Sequence, residues 1–411
     1  MMRKNYDVLI VGGGLAGNCL ALALKNSELD VAIIEAQTQQ KLYNSPAGDR
    51  ALALAVGTVT MLEALGIWQG VKQAATAIKN IHVSDQGHFG KTRLSAQKAQ
   101  VAAFGYVITA RDLETHVAHL LEQTAITRLC PARIEGLAST EQTISVNLDY
   151  RNEKTQLAAG LVVGADGAHS AVRKLLDIDQ QRIDYGQTAL VTTVNCELPH
   201  RNTAYERFTN VGPLALLPVG SRQCAVVWSR TPQQTALLLE MSDADFICQL
   251  QQCFGYALGE LTLAAPRRAF PLTLIQAETL LKGRAILIGN AAHQLHPVAG
   301  QGFNLGLRDV ALLAERLIEQ HKNGLDIGDF VFLTRYSQAR QQDLKKVVGF
   351  THSLVRIFSN DNLPLAGLRN LGLDLLDLMP GAKSILTQQA MGLAGHLPRI
   401  GNRRPGDDRA F

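Results

Sequence analysis

Residues 8–35 read VLIVGGGLAGNCLALALKNSELDVAIIE, and this stretch decides the fold. Val8 to Val11 is a short apolar run suited to a buried parallel strand. Three glycines break it. From Leu15 to Leu24 the apolar residues Leu15, Cys19, Leu20, Ala23 and Leu24 follow helical spacing, and Val31 to Ile34 is a second strand ending at Glu35. The unit is βαβ with Gly12, Gly14 and Gly17 at the strand-to-helix turn. Gly12 permits the tight turn, Gly14 lets a pyrophosphate approach the backbone, and Gly17 lets the helix pack on the strand. The helix N-terminus offers roughly half a positive charge and free N–H donors. Glu35 is placed to accept hydrogen bonds from a ribose. A dinucleotide is therefore expected, although the motif does not separate FAD from NAD.

Two later stretches read as further strand ends at the same sheet edge. Leu161 to Val163 runs into Gly164-Ala165-Asp166-Gly167, with Ser170 and Arg173 three apart beyond it. Taken alone, this is either a capped turn or a nucleotide contact. Ala285 to Ile288 runs into GNAAHQLHPVAGQGFNLG, residues 289–306. His293 and His296 are three apart, as metal ligands can be. Pro297 biases His296 away from helix, and no Asp, Glu or Cys lies between 285 and 305. Packing, hydrogen-bonding histidines are the favoured reading, and no metal is expected. Pro297 to Gly302 reads as an irregular loop. The helix starting near Asn304 would aim its N–H groups back across it, favouring developing negative charge.

Between the second and third stretches, Leu190 to Cys196, Ala204 to Thr209, Pro213 to Val219 and Cys224 to Ser229 are short β-type runs. They suggest an inserted, mainly antiparallel sheet. The expected division is a nucleotide domain in three parts (1–80, 105–180 and 276–345), strands at 81–104 joining a substrate domain at 181–275, and a C-terminal helical region at 346–411. Leu365 to Met379 forms an apolar stripe there, read as packing on the body or a partner rather than on a membrane surface.

Composition narrows the function. Of 411 residues, 46% are hydrophobic and 18% charged, as in a globular enzyme. A net charge of +4 without a dense basic run disfavours nucleic acid. The six cysteines form no CxxC pair, which fits a reducing compartment. No secretory signal and no run of about 18 apolar residues is evident. The cytoplasm is the expected location, with at most peripheral contact at an inner membrane.

The three motifs together resemble the class A flavoprotein aromatic hydroxylases of the para-hydroxybenzoate hydroxylase fold, from about residue 5 to 345. Asp49 to Leu54, His82 to Asp85, Glu206-Arg207-Phe208-Thr209, Gly212 to Pro218 and Gly300 to Gly306 resemble the ubiquinone-biosynthesis hydroxylases, most of all those acting on 2-polyprenyl-6-methoxyphenol. The resemblance implies an α/β fold: a Rossmann-type FAD domain, an inserted antiparallel substrate sheet and C-terminal helices. It implies FAD as cofactor, NAD(P)H as reductant, and oxygen transfer from O2 to a polyprenylphenol through a C4a-hydroperoxyflavin. Gly12, Gly14, Gly17 and Glu35 would hold the ADP half. Arg50 and Arg111 stand where the family places basic or polar groups near the flavin and pyrophosphate. Asp166 belongs to a motif linked to FAD and the pyridine nucleotide. Gly300, Gly302, Phe303 and Asn304 would lie against the isoalloxazine, the last three through backbone groups. Asn290 stands where most of the fold carries a ribityl-contacting Asp, a departure shared by the ubiquinone subgroup.

The substrate pocket is expected between the flavin loop and the inserted sheet, with Phe208, Leu216, Pro218 and Trp228 as candidate lining or, equally, as sheet core. No catalytic base is identifiable. Other ubiquinone-biosynthesis proteins or a second copy of the chain are the expected partners. A hydroxylase of another ring position, a FAD-dependent prenyl reductase and a flavin-holding binding module are the competing readings.

Overall fold

The computed structural model describes residues 4–85, 91–295, 300–358 and 391. Asn5–Val11 is the central strand of the first sheet. It pairs in parallel with Val31–Ile34 on one side and Glu153–Gly164 on the other. Thr127–Leu129 and Ala285–Leu287 extend the parallel order outward. Val8, Leu9 and Ile10 are fully buried. A parallel sheet covered on both faces demands such a continuous apolar run. Full burial of each such side chain contributes about 1.5–3 kcal/mol.

The chain steps outward from Asn5–Val11 through Val31–Ile34 and Thr127–Leu129, and only then crosses to the other side as Glu153–Gly164, so Asn5–Val11 borders the topological switch point of this sheet. The crevice beyond its carboxyl end is where α/β sheets bind ligands. The helix Leu15–Leu24 leaves that end and packs against the long helix Gln301–Lys322. An antiparallel hairpin, Ala132–Ser139 with Ile144–Tyr150, grows from the first half of Glu153–Gly164.

The second sheet has nine strands among the described residues. Gln180–Cys196, Gln223–Arg230, Pro213–Val219 and Thr203–Phe208 form its antiparallel centre. Asn80–Asp85 joins it in parallel to Thr203–Phe208, and Lys91–Ser95 pairs outside that. The helices Pro232–Glu240 and Asp243–Phe254 cover one face. There Leu214, Leu216, Val226 and Trp228 pack with Phe246 and Leu250.

A small third sheet, Ala51–Ala55, Gly105–Thr109 and Thr76–Ile78, sits between the two large ones. It packs on the other face of the second sheet, where Ala51, Ile78 and Phe104 share a core with Ile81 and Leu217. The fold is thus α/β, a parallel nucleotide-type sheet with a largely antiparallel sheet inserted. Phe330–Phe358 is a helix packed on Gln301–Lys322. No described helix is long and apolar enough to cross a membrane. His296, Pro297 and the Leu365–Met379 stripe lie outside the described residues.

Candidate active site

The three strand ends converge. Gly12 has φ +110°, and a Cβ there would lie 2.5 Å from the Ala165 carbonyl oxygen and 2.7 Å from Asp166 Cα. A Cβ on Gly17 would lie 2.0 Å from the Gly12 carbonyl oxygen. These two glycines are required by the fold itself. Gly14 differs: nothing lies within 4 Å of the space its Cβ would fill, and the helix that follows has no side-chain cap. Its first N–H groups therefore face an open cradle.

Glu35 closes one side of the cradle. Its Oε2 accepts from Gly13 N at 2.7 Å and its Oε1 from Gln37 N at 2.7 Å. Each oxygen keeps a second lone pair for a ribose hydroxyl. Asp166 Oδ2 accepts from Ala171 N at 2.6 Å and Val172 N at 3.1 Å. Its Oδ1 is buried with no partner among the described residues. Such an orphaned acceptor calls for a donor from a bound group.

Ser170 caps the short helix Ala171–Leu175, and Arg173 ties the second motif to the third. Arg173 donates to Ala168 O at 2.6 Å and to Ala291 O at 2.7 Å. Asn290, beside Ala291, is exposed, and its side chain bonds to no described residue. Gly300, with φ +62°, starts the helix Gln301–Lys322, again without a side-chain cap. Open space faces Gly302. Phe303 packs partly buried against the main core. The Asn304 side chain is consumed internally. It accepts from Ala55 N at 3.0 Å and Thr58 Oγ1 at 2.6 Å, and donates to Ala53 O at 2.9 Å and Gly300 O at 2.8 Å.

Arg50 and Arg111 flank the neighbouring loop differently. Arg111 is spent on structure, donating to Tyr43 O, to Ser45 O at 3.2 Å and to Asp49 Oδ1 at 2.6 Å. Arg50 donates through Nε to Ala47 O at 3.0 Å and lies 5.6 Å over the Phe270 ring. Desolvation lowers its pKa, which nearby Glu114 partly offsets. Arg50 therefore borders the second large sheet, while Arg111 holds the loop behind it.

His293 is held by a buried carboxylate. Its Nε2 lies 2.7 Å from Asp309 Oδ2, both groups buried. The described residues contain no cluster of three metal-ligating side chains. Asp309 also accepts from Gly289 N at 2.8 Å and Arg340 Nε at 2.7 Å. Burial raises its pKa, but the charges of His293 and Arg340 and these bonds outweigh it, holding the carboxyl down at about 2. Sequence reasoning passed over Asp309. Its signal was a charged Arg308-Asp309 pair within the apolar stripe Leu305–Val310–Leu313.

Register separates the four apolar candidates. Trp228 pairs with Leu214, and Leu216 with Val226, all in the core beneath the two covering helices. Alternation puts Pro218 on that face too. Leu216, Pro218 and Trp228 thus face away from the nucleotide side, and the physical reason is strand parity. Phe208 has the opposite parity and, buried, faces the nucleotide side. With it on that face are Ala215, Val227, Val191 and Phe270.

Comparison with known proteins gives this geometry a family. A model described as "FAD binding domain" matches residues 5–351. The chain belongs to this FAD-binding family of monooxygenases. It is 37% identical over 390 residues to the ubiquinone hydroxylase UbiL of Rhodospirillum rubrum, covering 95% of this chain and 90% of that one. It is 29% identical to the 3-demethoxyubiquinol 3-hydroxylase of Escherichia coli, covering 96% and 100%. Among solved structures it is similar to the p-nitrophenol 4-monooxygenase PnpA of Pseudomonas putida, with TM-score 0.78 at 18% identity, covering 96% and 100%. That last likeness concerns the fold. The chain is an FAD-dependent monooxygenase that uses NAD(P)H as co-substrate. The open cradle at Gly14, the orphaned Asp166 Oδ1 and the two uncapped helix starts fit the cofactor.

Proposed function

We propose that this monooxygenase hydroxylates the aromatic ring of a polyprenylated phenol in ubiquinone biosynthesis, with 2-polyprenyl-6-methoxyphenol as the substrate. The observation that carries the reading is the likeness to UbiL along nearly the whole chain. An apolar, half-open sheet face turned toward the nucleotide side supports it.

Bound FAD would supply the redox chemistry, taking two electrons from the nicotinamide and activating O2. The protein's residues hold, orient and shield. Gly12, Gly14 and Gly17 would shape the pyrophosphate cradle, Glu35 would accept from the ribose hydroxyls, and Asp166 Oδ1 would accept from the bound cofactor. Asn290 would meet the ribityl chain, where an amide can both accept and donate. Gly300, Gly302, Phe303 and Asn304 form the uncapped helix start that would lie against the flavin ring and favour negative charge there. Arg50 supplies positive charge at the cleft, and Arg111 holds the adjoining loop. Phe208, Val227 and Phe270 offer an apolar wall that excludes water from the ring.

Lipid analysis of cells lacking the protein tests the substrate. Accumulation of a 2-polyprenylphenol with an unhydroxylated ring is the expected result. Accumulation of a methylated benzoquinone intermediate would instead assign a later ring position, as the likeness to the 3-demethoxyubiquinol 3-hydroxylase would suggest. A prenyl reductase or a binding module would give neither. It would also show no oxygen consumption coupled to substrate-dependent NAD(P)H oxidation.

A further inference from the structure

We propose that Glu206 is the proton acceptor for the phenol, its carboxylate set in the sheet wall of the substrate cleft across from the flavin loop. This rests on the reading of the substrate as a phenol.

The placement follows from register. Val83 pairs with Glu206, Glu206 with Ala215, Ala215 with Val227, Val227 with Val191, and Val191 with Arg268. Directly paired residues share a face. Arg268 Nε lies 3.8 Å from Asp49 Oδ2, and Phe270, two positions on, lies beneath Arg50, so this face looks at the flavin domain. On the other side of Glu206, Ile81 and Leu217 pack with Ala51 and Val56. Asn304 ties Ala53 and Ala55 to the helix that starts at the flavin loop. Glu206 therefore lies in the wall between anchor points that both belong to the flavin side. Ala215, its small neighbour, leaves room in front of it.

Its environment is unusual for a structural carboxylate. Glu206 is half-buried among Val83, Ala215 and Phe208 and has no hydrogen-bond or ion-pair partner among the described residues. Glutamates in apolar surroundings are ordinarily paired. Arg207, next in the chain, points to the opposite face and donates to Phe254 O at 2.9 Å. Burial pushes the Glu206 carboxyl up to about 7, which is suited to proton exchange at neutral pH. The charged groups on the same face are Asp85, paired by register with Phe208, and Arg268 at the far edge, bridged to Asp49. Arg50 reaches this face from the flavin domain. The paired positions of the adjoining strands, Val83 and Ala215, are uncharged.

The step balances as follows. As the ring carbon attacks the activated oxygen, the phenol O–H proton passes to the Glu206 carboxylate and a C–O bond forms. The ring then loses its C–H proton to solvent and regains aromaticity, and Glu206 returns its proton to the phenol oxygen. One oxygen atom of O2 enters the product and the other leaves as water. The two electrons come from the reduced nicotinamide, which the established cofactor chemistry already uses.

The test uses FAD-loaded protein with a short-chain 2-prenyl-6-methoxyphenol as probe. Glu206→Gln should keep its flavin and bind the probe within about threefold, yet hydroxylate about 100-fold more slowly at pH 7. Glu206→Asp should recover part of the rate. The wild-type rate should rise through about pH 7 as the carboxylate ionises. The Gln variant should lack that rise and gain speed only as the phenol itself ionises, near pH 10 for an ordinary phenol. A Gln variant as fast as wild type, with the same rise, overturns the proposal. Weaker probe binding with an unchanged saturated rate assigns Glu206 to binding and also overturns it. Wild-type protein that holds flavin but oxidises no phenol overturns the phenol hydroxylase reading and this base with it. Phenol hydroxylation at equal rates in both proteins overturns the base alone.

Discussion

Asn304 Oδ1 accepts the Ala55 N–H at 3.0 Å across 249 residues of sequence, while its Nδ2 donates to Ala53 O at 2.9 Å. One amide thus staples the small sheet to the start of the helix Gln301–Lys322. Both ends of an amide are needed, since the strand Ala51–Ala55 presents a donor at Ala55 N and an acceptor at Ala53 O.

Replacing Asn304 tests the staple. Asn304→Ala leaves a buried N–H and carbonyls unpaired, at about 1–3 kcal/mol for each group left unsatisfied. Asn304→Asp keeps the two acceptor contacts but sets a carboxylate against Ala53 O and Gly300 O. Both variants should be destabilised in urea unfolding and release flavin more readily. Wild-type flavin retention in Asn304→Ala would contradict the role.

Gly14 and Gly17 should separate ligand from fold. Gly17→Ala places a Cβ 2.0 Å from a backbone oxygen and should lower stability even without flavin. Gly14→Ala meets nothing within 4 Å at an ordinary φ of −78°. The apoprotein should keep its thermal midpoint while FAD affinity falls at least about tenfold, or 1.4 kcal/mol. Flavin titration beside calorimetry of the apoproteins decides this.

Asn290→Asp should bind FAD within about tenfold of wild type, or about 1.4 kcal/mol, in titration of the apoprotein. The side chain is exposed and bonds to no described residue, so the change disturbs no internal contact. Complete loss of binding would remove Asn290 from the site.

The Asp309 network should be structural. Asp309→Asn leaves Arg340 without its buried carboxylate, and the expected loss is about 3 kcal/mol, because Asp343 still pairs with Arg340 at 2.7 Å. Asp309's pKa is depressed from 3.8 to about 2. Its contribution is therefore fully present above pH 3.8 and is lost as pH falls through about 2. The variant's deficit in urea unfolding should shrink as pH falls from 3.8 through about 2.

Glu206 gives the opposite pH signature. Its carboxyl rises from 4.5 to about 7 in the fold. Folding is then undisturbed by this group below pH 4.5 and is progressively penalised as pH rises through 7. Glu206→Gln should match the wild-type thermal midpoint near pH 4.5 and exceed it above pH 7. A difference that stays constant with pH would mean that the carboxyl is not desolvated.

The nucleotide half of the molecule was legible because its physics is local. A βαβ turn requires glycine where a Cβ would meet backbone, and a parallel strand buried on both faces must be apolar throughout. Gly12, Gly17 and the run Val8 to Val11 carry those demands in their own identity. Asn290 and the Gly300–Gly302 loop could be read the same way, as deviations within a recognisable frame. The histidine question could not be settled locally, because the partner of His293 is Asp309 on another element.

The substrate wall was decided only in three dimensions. Phe208, Leu216, Pro218 and Trp228 look alike as apolar strand residues, but a one-residue change in parity sends a side chain to the opposite face. Which face the helices cover depends on where Pro232–Glu240 and Asp243–Phe254 pack, and no strand pattern states that. The same parity turns Glu206 toward the sheet face that Arg50 overlies and Arg207 toward the other. The sequence alone determined that a dinucleotide cradle forms at the end of Asn5–Val11. Tertiary structure decided which carboxylate faces the space beside it, because the pairing of distant strands, not the residue type, sets the direction of a side chain.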